Sequence, residues 1–132
     1  MRSPPALPGG DLELAVLEAL WDLGAVTARQ VHDRVGEPSD LAYTTIAKVL
    51  DRLVAKKLAK RRRDGRQYVY AAAVVRDVVE RARARVSVRR LLGDEPRTLI
   101  AALVDGVESL DPELLDDLAR AVAARRKVRR GS

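Results

Sequence analysis

"DLAYTTIAKVLDRLVAKK", Asp40 to Lys57, is the stretch on which the fold turns. Ile46, Val49, Leu50 and Leu53 recur at helical spacing and predict a buried stripe. At about 100° per residue, Thr44, Lys48, Asp51 and Ala55 fall opposite that stripe, with Thr45, Ala47 and Arg52 on its flanks. The helix is expected over about Leu41 to Lys57, with Ser39 or Asp40 as its cap. Such a helix anchors one face and presents small polar and basic groups on the other.

Downstream lies "KRRRDGRQYVY", Lys60 to Tyr70. Two strand-like runs, "LAKRRR" and "RQYVYAA", flank Asp64-Gly65, a hairpin signal because a type I′ turn needs positive φ at both central positions. Tyr68 and Tyr70 share one strand face, and both are expected in the core. Upstream, "DLELAVLEALWDLG" predicts a helix over Asp11 to Leu23, with Asp11 as N-cap, Gly24 as terminator and Trp21 in the core. "TARQVHDRV" predicts a second helix over Ala28 to Val35, opened by a Thr27/Gln30 capping box and ended by Gly36 and Pro38. Three helices followed by a hairpin make a winged helix-turn-helix layout, in which the third helix can enter the DNA major groove.

The charge agrees with that layout. The 132-residue chain carries a net +6. From Lys48 to Arg66 there are nine Lys/Arg against Asp51 and Asp64, so the positive charge collects beside the opening stretch. In the first turn of a groove-docked helix, Thr44 and Thr45 can meet phosphates, base edges or a thymine methyl. Lys48 can reach a base edge or phosphate, and Arg52 suits a phosphate. Arg61, Arg62, Arg63 and Arg66 ring the wing tip, where they would neutralise the backbone or enter the minor groove. Arg29, early in the second helix, is a further phosphate candidate.

The composition also excludes chemistry. Cysteine is absent and His32 is the only histidine, which removes disulfides, thiolate catalysis and multi-histidine metal sites. His32 reads as a surface or boundary residue. No cofactor is expected and no enzymatic constellation stands out. Lack of cysteine fits a cytoplasmic location, no apolar run long enough for membrane insertion occurs, and "MRSPPALPGG" lacks the apolar region of a signal peptide.

Three more helices follow, over about Val75 to Leu92, Arg97 to Val107 and Pro112 to Val128, with Asp111-Pro112 a start signal. The expected organisation is a disordered lead at 1–10, a winged helix at 11–73, a helical region at 74–128 and a frayed basic tail at 129–132. The fold class is mainly α with a small β-hairpin.

"LELAVLEALWDLGAVTARQVHDRV", "LAYTTIAKVLDRLVAKKLAKR" and "DGRQYVYAA" resemble the penicillinase repressor family of bacterial transcription regulators (BlaI/MecI type). The resemblance is strongest over Leu12 to Ala72. It implies a homodimeric repressor bound to a palindromic double-stranded DNA operator, held together by a three-helix C-terminal dimerisation region. The apolar positions it would use are Val78, Val79, Ala82, Val86, Leu99, Leu103, Leu114, Leu115, Leu118 and Val122. Packing of these helices on their own winged helix is the alternative. The resemblance further implies relief of repression through a membrane sensor protease pathway, by cleavage typically at an Asn-Phe bond. The equivalent position here is Ala102-Leu103, a departure from that pattern. Copper-responsive relatives carry a C-terminal cysteine cluster, which this chain lacks. The alternative from another class is a winged-helix interaction module whose basic face docks RNA or an acidic protein.

Overall fold

A computed structural model describes residues 7–131. The elements run α1 (Asp11–Leu23), β1 (Val26–Thr27), α2 (Ala28–Val31), α3 (Tyr43–Ala55), β2 (Ala59–Asp64), β3 (Gln67–Ala72), α4 (Arg76–Leu92), α5 (Pro96–Leu110) and α6 (Pro112–Arg130). The chain divides into two compact units, 1–85 and 86–132.

The first unit owns the core. Leu17 and Leu20 from α1, Val31 from α2, and Ile46, Val49, Leu50 and Leu53 from α3 are buried together, with Leu58, Ala59 and Tyr70 from the hairpin side. All four stripe residues of α3 are therefore where the helical spacing puts them. Thr27 caps α2 as expected: its hydroxyl accepts from Gln30 N at 3.2 Å, and Gln30 Oε1 accepts from Thr27 N at 2.9 Å.

Several local expectations change. α2 keeps its helical form only to Val31, then widens into a π turn over His32–Gly36 and a 3₁₀ turn over Glu37–Ser39. Asp40 adopts a left-handed conformation, φ 55°, which Asp tolerates better than most residues, and it closes that turn. Neither Ser39 nor Asp40 caps α3, whose N-cap position is Ala42 with no side-chain bond. At the other end α3 stops at Ala55 in a Schellman turn: Leu58 N donates to Leu53 O and Lys57 N to Val54 O, with Lys57 at φ 64°. Gly10, not Asp11, holds the N-cap position of α1.

The sheet has three strands in the order β1-β3-β2, all antiparallel, and the short β1 was not anticipated. The β2–β3 register pairs Asp64 with Gln67, so the turn residues are Gly65–Arg66, one step later than expected. Only Gly65 has positive φ, 65°, which is the type II′ requirement rather than type I′.

The lead is partly ordered. Leu7 packs against the core, and Glu13, 6% exposed, accepts from Gly9 N at 3.0 Å and Lys56 Nζ at 2.9 Å. A buried carboxylate needs such partners, and these tie residues 7–9 to α1 and the end of α3. Residues 1–6 lie outside the described residues. Trp21 is half-buried, not fully enclosed, and its Nε1 donates to Val74 O at 2.9 Å.

Three predicted interface residues, Val78, Val79 and Ala82, belong to the first unit, and two of them are buried there. Val79 is fully buried and Ala82 7% exposed; Val79 sits in the same core as α1 and α3. The winged-helix unit therefore extends into α4, past the expected boundary after residue 73, because α4's first turns cover the core.

In the second unit α5 and α6 form a helical hairpin. Asp111 caps α6 by accepting from Glu113 N at 3.0 Å. α6 continues to Arg130, so Arg129 and Arg130 belong to a helix rather than a frayed tail; Ser132 lies outside the described residues. Leu99, Leu103, Leu115 and Leu118 are half-buried. Among the described residues of this unit none is buried.

Candidate nucleic-acid interface

The outward face of α3 carries Thr44, Lys48, Asp51 and Arg52, all exposed, with Thr45 half-buried beside them. The amphipathic spacing decides this: Ile46, Val49, Leu50 and Leu53 fall on one side of the helix, which turns the positions between them outward. The α3 helix contains one acid, Asp51, on that same face.

The hairpin sorts its cations by strand alternation. Arg61 pairs in register with Tyr70 and Arg63 with Tyr68, while Lys60 and Arg62 stand opposite Ala71 and Val69. Arg66 occupies the turn itself. Tyr70 is buried, 5% exposed, but Tyr68 is 37% exposed, so only one of the two tyrosines is core. Tyr68 instead lies under two guanidinium groups, Arg61 at 4.4 Å and Arg63 at 5.4 Å from its ring centroid. Arg61 also donates to Asp51 Oδ1 at 3.1 Å, which joins wing to helix.

Arg29 is exposed at the start of α2 and stands 5.7 Å from the Tyr43 ring centroid. Together with Thr27, Gln30, Gln67 and Tyr68 they line a recess of about 450 Å³ between α2, α3 and β3. The recess brings Arg29 and the wing to one side of α3. Tyr43, Gln30 and Gln67 were not singled out as site residues. Their convergence depends on β1 pairing with β3, which a two-residue strand does not announce. His32 is half-buried and its Nε2 lies 2.7 Å from Leu41 O, so it braces the turn that leads into α3.

Burial raises the pKa of Tyr70 above the ordinary phenol value, while its hydrogen bond with Arg61 opposes the shift. The fold thus favours the neutral phenol over the ionised one. Stability from this preference is complete below about pH 10, where unfolded tyrosine begins to ionise, and is lost as pH rises through the higher folded value. Thermal melts of the wild type and Tyr70→Phe should diverge progressively above about pH 10, with the wild type falling faster. Parallel pH profiles would contradict the assignment.

The arrangement holds hydroxyls, ammonium and guanidinium groups on a convex helix and a projecting hairpin. It can bind a polyanion and read groove edges.

Comparison with known proteins agrees with that geometry. Residues 9–124 match the family profile described as "Penicillinase repressor". The "Transcriptional regulator BlaI" of Mycobacterium tuberculosis (strain ATCC 25618 / H37Rv) is 40% identical over 116 residues, covering 86% of this chain and 82% of that protein. The solution structure of the DNA binding domain of the repressor BlaI is 24% identical and superposes with a TM-score of 0.50, covering 59% of this chain and 93% of that domain. The monomeric form of Bacillus licheniformis BlaI in complex with the blaP half-operator is also 24% identical, with a TM-score of 0.48, over 59% and 93%.

Proposed function

The chain belongs to the penicillinase repressor family, and from that membership we propose that it is a transcriptional repressor, not an enzyme, binding a two-fold symmetric DNA operator as a homodimer. The observation that carries this reading is the α3 face: Thr44, Thr45, Lys48 and Arg52 presented beside a wing bearing Arg62, Arg63 and Arg66. α3 lies in the major groove with Thr44, Thr45 and Lys48 at base edges. Arg52, Arg29 and the wing arginines hold phosphates and give affinity without sequence choice. Repression is by occupancy, in the cytoplasm.

Homodimerisation is supported by the second unit. A helical hairpin with no buried residue leaves its apolar faces open, and packing of such a face supplies most helical stability, so a second copy would add to it. Val86, Leu114 and Val122 are 41%, 38% and 44% exposed and, with the rim of Leu99, Leu103, Leu115 and Leu118, supply a face for a second copy; Val78 is 49% exposed. Ala102 and Leu103 lie midway along α5. Cleavage there by a sensor protease pathway requires local opening of the helix, and either opening or cutting would separate the subunits.

Lys48→Ala is expected to weaken binding to the preferred site by about 1–3 kcal/mol, while Arg62→Ala or Arg66→Ala weakens all duplexes alike and flattens the salt dependence by about one unit each. Gel-shift titrations at several salt concentrations measure both. Wild-type affinity in Lys48→Ala would remove Lys48 from the reading residues.

A further inference from the structure

The wing arginines are not equivalent. Arg61 Nη1 reaches Asp51 Oδ1 at 3.1 Å, its guanidinium lies over Tyr68, and Tyr68 in turn meets Tyr70 edge-on with centroids 6.5 Å apart. Among the described residues Arg62 and Arg66 make no ion pair. Asp51 is the sole acid of α3 and stands on the face proposed to meet DNA.

An isolated exposed ion pair contributes little. Arg61 has more holding it. Leaving Asp51 for a phosphate would forfeit the tyrosine stack and the ion pair, and would leave a bare carboxylate facing the DNA backbone. The second cost is repulsion, which the other wing arginines never incur.

We propose that Arg61 is a positioning residue, which fixes the wing against α3, and that Asp51 sets specificity by withholding Arg61 from phosphates. The inference rests on the reading of α3 and the wing as a DNA interface. Non-specific DNA then gains one cation less from the wing, while the correctly placed wing benefits only a site that α3 also fits.

The test uses the full chain, a duplex selected from a random pool, and the unselected pool as non-specific probe, each titrated across a salt series. Arg62→Gln should lower the non-specific salt slope by about one. The neutral double variant Asp51→Asn/Arg61→Gln should leave that slope at the wild-type value, yet lose about tenfold in affinity for the selected duplex. Asp51→Asn alone should steepen the non-specific slope by about one, as Arg61 is released, and lower the selected-to-unselected ratio. A slope loss in the double variant equal to that of Arg62→Gln would make Arg61 an ordinary phosphate contact and overturn the proposal. So would unchanged affinity of the double variant for the selected duplex. Failure of the wild type to bind either probe is a different result: it removes the DNA-binding reading itself.

Discussion

Leu114→Asp/Val122→Asp is expected to yield a folded chain that no longer forms dimers. Both side chains are exposed in the protomer, 38% and 44%, so the substitution costs a single chain little. In a dimer they would carry two desolvated carboxylates per subunit into an apolar interface, without partners. Loss of pairing should then appear on DNA. Two linked half-site contacts exceed either alone by about 10²–10⁴, and a monomer forfeits that factor. Analytical ultracentrifugation should show the monomer mass, and titration should show the two-fold site bound no better than a single half-site. Single half-site affinity should be unchanged, because α3 and the wing lie in the other unit. A variant that sediments as a dimer would move the interface elsewhere.

Gly36→Ala should cost the most in stability. Gly36 is buried where the π turn passes under α3. A Cβ there would lie 2.4 Å from His32 Cδ2 and 2.8 Å from Ile46 Cγ1. Ile46 is fully buried and cannot give way, so His32 must swing out and abandon its contact with Leu41 O. Overpacking of this kind costs about 1–3 kcal/mol, before the lost hydrogen bond of about 1 kcal/mol. The backbone φ of Gly36 is −75°, so the penalty is steric rather than conformational. Gly106→Ala is the contrast: nothing lies within 4 Å of its added Cβ, and an exposed helix interior gains about 1 kcal/mol from alanine. Urea midpoints should fall for the first and rise for the second. An unchanged midpoint for Gly36→Ala would mean the turn is looser than its contacts indicate.

The two glycines show what the sequence discloses and what it hides. Periodicity placed Ile46, Val49, Leu50 and Leu53 inside and Thr44, Lys48 and Arg52 outside, because both facts follow from one helix taken alone. The Thr27/Gln30 box and the Asp111 cap are equally local. Features set by distant partners were not legible. β1 exists only because Val26 finds Tyr70, and Val79 is core only because α4 returns to the winged helix. The hairpin turn was one residue off, since Asp-Gly and Gly-Arg satisfy different turn types and the register decides between them. The commitment of Arg61 to Asp51 belongs to the same class: four adjacent basic positions look alike in sequence, and the strand pleat separates them.

The reading of α3 and the wing as an operator-binding surface is tested by selecting bound duplexes from a random pool with the full chain. An inverted repeat with half-sites about one or two helical turns apart should be enriched, and the enrichment should be lost when Lys48→Ala is used instead. A pool that emerges unenriched, or binding confined to RNA, would contradict it.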